Sequence, residues 1–227
     1  MPFQDLPVRL TEASRLIEQA RSRGGHDQTV SVVAVTKTYG PEAPLAAWDA
    51  GLRDVGENKV QEALSKAPLV AVPLRWHLIG HLQRNKVKHL DLFHLVHSMD
   101  SSRLADALNT HGLTRGRPMD VLLQVNLSGE GTKGGYEPAD VDAESDRLRE
   151  MTGLSVRGVM TMAPFDADEG ALRKVFSGAR VAAERLRAAG HPATELSMGM
   201  SGDYEIAVEE GATLVRLGTV LFGARSA

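Results

Sequence analysis

The feature that most constrains this chain is an alternation repeated along it: a short apolar run, a turn, then an amphipathic stretch of helical period. The first run is Val30–Val35, apolar except at Ser31 and mostly β-branched, as a strand buried on both faces reads. Seven more follow, at Asp54–Asn58, Arg75–Gly80, Phe93–His97, Met119–Asn126, Leu154–Met160, Glu195–Ser197 and Thr213–Leu217. Helices are predicted at Leu6–Arg23, Pro41–Gly51, Lys59–Ala67, Leu82 to about His89, Ser101–His111, Pro138–Met151, Asp168–Ala189 and Asp203–Glu210, with a last turn from Val220. Strands alternating with helices through short loops imply right-handed βαβ crossovers and a parallel sheet. Eight such units make a (β/α)8 barrel of the TIM type the leading architecture, with a doubly wound open sheet as the alternative. No composition shift or linker marks a second domain, so residues 1–227 are expected to form a single barrel domain.

Composition narrows the partners. A formal net charge of −3 and only 4% aromatic residues argue against nucleic acid or an acidic membrane surface. The absence of cysteine excludes disulfides and thiolate metal sites, and fits a reducing cytoplasm. Met1–Leu10 lacks the basic and apolar regions of a signal peptide, and no apolar run approaches the ~18 residues of a membrane span. A cytoplasmic location is therefore expected. The histidines lack the H-E-x-x-H spacing of a zinc site.

In a barrel the carboxyl ends of all strands open on one face, so the polar residues at those ends become neighbours. Here they are Lys37, Glu57, Asn58, His77, His97, Gln124, Asn126, Thr161, Ser197 and Arg216. Lys37 closes the first strand, where its amine is a potential Schiff-base nucleophile; the plain alternative is a strand-end lysine reaching water. Two glycine- and hydroxyl-containing segments, Leu196–Asp203 and Val215–Thr219, precede helices late in the chain. Backbone N–H groups there, with Ser201 and Thr219, form a candidate phosphate cradle at the place where barrels frequently hold one. The alternative is that Ser201 and Thr219 are simple helix N-caps. Gly129–Gly135 lacks the ending of a P-loop and reads as a mobile loop over the mouth, a candidate lid.

An imine-forming lysine and a phosphate cradle on one barrel mouth point to pyridoxal phosphate. The chain resembles the pyridoxal phosphate homeostasis protein family, whose fold is similar to the N-terminal barrel of alanine racemase. The resemblance rests on five blocks in family order: Ala34–Lys37, Gly56–Glu62, Trp76–Lys86, Leu196–Ser201 and Val215–Thr219. It implies that Lys37 carries the cofactor as a Schiff base and that Ser201, Gly218 and Thr219 bind its phosphate. It also implies that Asn58 lies beside the ring and that Arg216 faces the pyridine nitrogen. A fixed positive charge there disfavours protonation of that nitrogen and makes the ring a poorer electron sink. The alternative for Arg216 is a salt bridge to Glu205 or Glu209. The chain departs from the family at Lys59, where a tyrosine is common, and at His81 and Arg84.

The resemblance implies a role in vitamin B6 homeostasis, holding the cofactor without strong catalysis and passing it to pyridoxal phosphate-dependent enzymes. The alternative is an amino-acid racemase or related α-carbon enzyme, which needs an acid/base on both faces of the substrate carbon. In alanine racemase the second base is a tyrosine from another domain. Of Tyr39, Tyr136 and Tyr204, only Tyr39 lies near the mouth, on the same segment as Lys37. A monomer is expected, because the dimer contacts of the racemase's second domain have no counterpart here. An aldolase-like barrel using Lys37 is a third reading.

Overall fold

The computed structural model describes residues 3–129 and 134–224. Eight strands, β1 (Ser31–Val35), β2 (Asp54–Glu57), β3 (Arg75–Leu78), β4 (Phe93–Met99), β5 (Met119–Gln124), β6 (Leu154–Met160), β7 (Glu195–Met200) and β8 (Leu214–Leu217), pair in chain order. All the pairings are parallel, and β8 returns to β1, so the sheet closes into a barrel rather than an open doubly wound sheet. The helices are α1 (Leu6–Gly24), α2 (Glu42–Asp49), α3 (Val60–Lys66), α4 (Ser102–Thr114), α5 (Val141–Arg149), α6 (Glu169–Ala188), α7 (Tyr204–Glu209) and α8 (Thr219–Phe222).

The alternation of a strand's side chains divides the core in two. Ala34, Val55, Trp76, Leu78, Val96, Val121, Leu123 and Leu217 point outward and pack with the helices in one continuous cluster. Val33, Leu95, Leu122, Met160 and Leu214 form a smaller apolar layer inside the barrel. Polar residues lie on either side of that layer. Toward the amino ends of the strands, Asp54, Arg75, Asp120, Arg157 and Glu195 line a cavity of ≈ 150 Å³. Toward the carboxyl ends, His97, Ser197 and Arg216 are buried.

Three expectations need adjustment. The helix expected from Leu82 is a six-residue 3₁₀ stretch, Arg84–His89, pinned by buried Leu82, Val87 and Leu90. Too few residues separate these anchors for a stable α-helix. The seventh strand runs to Met200 instead of stopping at Ser197, so most of the supposed phosphate loop is strand. Glu130, Gly131, Thr132 and Lys133, the centre of the expected lid, lie outside the described residues.

Candidate functional site

Period-two alternation along β1 points Val33 and Val35 inward, and Lys37 follows two residues later in the turn at the barrel mouth. Val35 pairs with Gly56 as the last pair of the β1–β2 ladder, and Lys37 and Asn58 each follow that pair by two residues. Both are half-buried. Asn58 is set by its other neighbour, because a Cβ on Gly80 would lie 2.4 Å from its carbonyl oxygen and 2.7 Å from its Cα. A Gly80→Ala chain is expected to fold with a displaced Asn58 and to lose about 1–3 kcal/mol, as overpacking against backbone does. A lowered urea midpoint together with weaker ligand retention checks this.

The backbone around Lys37 is held from outside the barrel. Thr36 donates its hydroxyl to Glu57 Oε1 at 2.6 Å. Buried Lys66 donates to the Thr36 carbonyl at 2.9 Å, to Glu57 Oε1 at 2.8 Å and to Glu62 Oε1 at 2.7 Å. Glu62 also accepts the Thr38 N–H. Thr38 has φ +69°, a left-handed conformation that a β-branched residue adopts only when its surroundings enforce it. Burial pushes the Glu57 carboxyl above its ordinary range despite its bonds to Lys66 and Thr36. Burial also pushes Glu62 upward, but there the Lys66 and Thr38 hydrogen bonds prevail and its carboxyl ends lower. Glu57, expected at the mouth, faces outward beneath α3, because its strand neighbour Gly56 faces in. This network escaped the sequence reading, although Glu62 and Lys66, one helical turn apart on α3, were a signal for it.

Arg216 stands beside Val33 across the β8–β1 seam. Its guanidinium donates to Ser197 Oγ at 2.6 Å and to the Thr161 carbonyl at 3.0 Å. The suggested acid partners are taken elsewhere: Glu209 pairs with Arg23 and Arg173, and Glu205 with Arg23. Burial pushes the guanidinium down to about 10, partly offset by Asp203, so Arg216 remains a cation at neutral pH. His77 and His97, expected at the strand ends, are instead hydrogen-bonded to each other in the barrel interior at 2.8 Å. Gln124 turns to the Gly134 carbonyl and Asn126 to Glu137, on the loop side of the mouth.

Ser201 and Thr219 are not N-caps. Asp203 and Gly218 occupy those positions, and Thr219 is the exposed first residue of α8. Ser201 Oγ accepts the N–H groups of Gly218 at 3.3 Å and Val220 at 3.4 Å, joining the turn after β7 to the start of α8. Gly199 serves a different contact, with α7: it has φ +90°, and a Cβ there would meet Ala207 Cβ at 2.6 Å. Gly218 differs. A Cβ on it would meet only ordinary contacts with Val35, the nearest at 3.6 Å. Packing within the chain therefore does not require glycine at 218. The donors around it are backbone N–H groups and hydroxyls, suited to a phosphate.

The family model described as alanine racemase, N-terminal domain, matches residues 10–226. The chain is 42% identical over 215 residues to the pyridoxal phosphate homeostasis protein of Pseudomonas aeruginosa, covering 94% of this chain and 92% of the relative. It belongs to the pyridoxal phosphate homeostasis protein family. The member from Aquifex aeolicus is 39% identical over 221 residues, covering 96% of this chain and 97% of that one. PipY of Synechococcus elongatus, solved with pyridoxal phosphate bound, superposes with a TM-score of 0.84 at 37% identity, over 96% of this chain and 100% of that chain. Alanine racemase of Clostridium difficile shares the fold, with a TM-score of 0.78 at 14% identity over 100% of this chain and 57% of that one.

Proposed function

We propose that this homeostasis-family chain binds pyridoxal 5'-phosphate and holds it as a Schiff base on Lys37, in the service of vitamin B6 homeostasis rather than turnover. The observation that carries the reading is the placement of Lys37 and Asn58 on one side of the β1 end and Arg216 and Gly218 across the β8–β1 seam. When bound, the cofactor supplies an aldehyde carbon reactive toward amines, and Lys37 is assigned as that amine. Ser201, Gly218 and Thr219 bind the phosphate through hydroxyl and backbone N–H donors. Asn58 borders the ring. Arg216 presents a buried positive charge that keeps a facing ring nitrogen unprotonated.

The tyrosines support holding over racemisation. Tyr39 packs its ring against Phe3 and Phe222, at 5.3 and 5.4 Å between centroids. Tyr136 donates to Glu144 at 2.8 Å, and burial together with that carboxylate pushes its hydroxyl upward, away from a useful base. Tyr204 is buried on α7, which pushes its hydroxyl up as well.

The wider reading is a single barrel domain over residues 1–227 that works as a cytoplasmic monomer and passes cofactor to pyridoxal phosphate-dependent acceptor enzymes. Among the described residues no helix is long and apolar enough to cross a membrane. Among the described residues the exposed large apolar side chains are Val8, Leu64, Leu69, Leu113, Phe165, Val181 and Met200; apart from Leu64 and Leu69, on consecutive elements, they are far apart in the chain, which favours the monomer.

The test is to add pyridoxal phosphate to the purified protein, reduce with borohydride and map the modified peptide. A visible band lost on reduction and a pyridoxyl group on Lys37 are expected; labelling spread over surface lysines would overturn the assignment. Incubation of the loaded protein with alanine in deuterated water is expected to leave the α-proton unexchanged on the timescale of enzymatic turnover.

A further inference from the structure

A continuous line of hydrogen bonds crosses the barrel interior from the mouth to the opposite face. Arg216 donates to Ser197 Oγ at 2.6 Å. Ser197 Oγ lies 2.8 Å from His97 Nδ1, His97 Nε2 lies 2.8 Å from His77 Nδ1, and His77 Nε2 lies 2.8 Å from Asp54 Oδ1. Every member is nearly or wholly buried: Asp54 is 5% exposed, His77 2%, His97 0%, Ser197 0% and Arg216 5%. The line joins β8, β7, β4, β3 and β2, so it is a property of the closed barrel. At its far end His77 and Asp54 line the floor cavity of ≈ 150 Å³.

We propose that this line is a proton relay, in which Ser197 and His97 are positioning residues for Arg216 and a proton taken up at Ser197 is lodged on His77 beside Asp54. The cofactor-side consequence rests on the proposed binding of pyridoxal phosphate next to Arg216; the relay itself does not.

The direction follows from donor and acceptor chemistry. Asp54 is ionised, because Arg75 donates to both its oxygens at 2.7 and 2.6 Å, so His77 Nε2 carries hydrogen and donates to it. With both imidazoles neutral, His77 Nδ1 accepts from His97 Nε2–H and His97 Nδ1 accepts from the Ser197 hydroxyl. Ser197 in turn accepts from Arg216. Each of the three middle groups donates once and accepts once. When Arg216 passes an Nη1 hydrogen to Ser197 Oγ and takes up another from solvent at the mouth, the serine's own hydrogen passes to His97 Nδ1 and the Nε2 hydrogen of His97 passes to His77 Nδ1. The net change is one proton gained, held on His77. His97 has exchanged one neutral tautomer for the other and now donates to Ser197, which then accepts from two sides. The reverse transfers, from His77 Nδ1 to His97 Nε2 and from His97 Nδ1 to Ser197, reset the line.

The surroundings favour that resting place. Burial, reinforced by the positive charges available at His77 and Arg216, pushes His97 well below the usual imidazole range, so it transmits charge without keeping it. Burial alone would push Asp54 up, but the hydrogen bonds from His77 and Arg75 prevail and hold its carboxyl lower, an anion ready to balance a charged His77. His94, on β4, sits edge-on to His77 with centroids 5.7 Å apart. The remaining charged groups facing the cavity are Asp120, Arg157 and Glu195, from β5, β6 and β7.

The experiment is long-range ¹H–¹⁵N spectroscopy of histidine-labelled protein across pH, first without ligand and then with pyridoxal phosphate added. His97 is expected as the Nε2–H tautomer at high pH, switching to Nδ1–H in the same step in which His77 becomes protonated at both nitrogens. In the loaded protein the visible absorbance maximum is expected to move in that step, and Ser197→Ala to lose the movement. A His97 that keeps one tautomer while His77 gains its proton overturns the relay. An absorbance maximum that ignores the step, or keeps it in Ser197→Ala, overturns the link to Arg216. Should Ser197→Ala fail to fold, the wild-type tautomer switch still decides the relay. Should pyridoxal phosphate give no visible band, the proposed function fails and the ligand-free spectra still decide it.

Discussion

Lys37→Ala is expected to lose all borohydride-fixed pyridoxal phosphate while keeping the fold. Lys37 lies past the last hydrogen-bonded residue of β1 and is half-buried, so truncating it removes little packing. Surface-like substitutions of this kind change stability within about 0.5 kcal/mol. What is lost is the amine itself, and no neighbouring group replaces a covalent bond. Arg216, Ser201 and the N–H groups at the start of α8 remain, so the variant is expected to retain a weak, salt-sensitive affinity for the free ligand. Intact mass after borohydride treatment, read beside the thermal midpoint, checks both halves. An undiminished adduct at an unchanged midpoint would move the assignment to another lysine.

Lys66→Met is expected to be the most destabilising of the single changes considered, by about 3–5 kcal/mol, the range for removing one partner of a buried ion pair. Methionine preserves the length of the side chain, so packing is not the main loss. Side-chain exposure is 6% at Lys66 and 0% at Glu57, so water cannot take over the ammonium's role. Two carboxyls that shared one cation are left facing each other, and the Thr36 carbonyl loses a donor. Thr38 is then free to leave its left-handed conformation, which moves Lys37. A fall in urea midpoint together with faster loss of pyridoxal phosphate on dilution is the expected pair of results. Adding Glu57→Gln to Lys66→Met is expected to restore part of the stability, because one of the stranded carboxyls is gone. A midpoint that does not change in Lys66→Met would show that the network does not hold the Lys37 segment.

Much of this was legible in the sequence. Eight strand-like runs in steady alternation with helices leave few topologies, and a closed parallel barrel is what formed. The outward position of Glu57 was readable from the alternation of its strand, since its neighbour Gly56 faces in. Parity fails as a guide on β4, where register shifts lie between Trp76 and His77 on one side and Val96 and Met99 on the other. A bulge resets which residues face in, and nothing local in the sequence announces it. His97 was expected at the rim because its strand was read as ending there, whereas β4 runs on to Met99 and leaves His97 buried inside the barrel. The N-cap alternative for Ser201 fails for another reason: its hydroxyl serves a backbone seventeen residues away in sequence, a contact that only closure of the barrel creates.

That closure has a consequence for how the protein is made. The segments carrying Lys37 and Gly218 meet across the junction of the first strand with the eighth, nearly the largest sequence separation the fold contains. Pairings so distant in the chain form late and slowly. On the proposed reading, a polypeptide emerging from the ribosome cannot grip its ligand until the eighth strand has docked, and the ligand then clasps the last seam to shut. Vitamin supply would thus act as a latch on maturation, adding about 2.7 kcal/mol of stability when free ligand is a hundred times its dissociation constant.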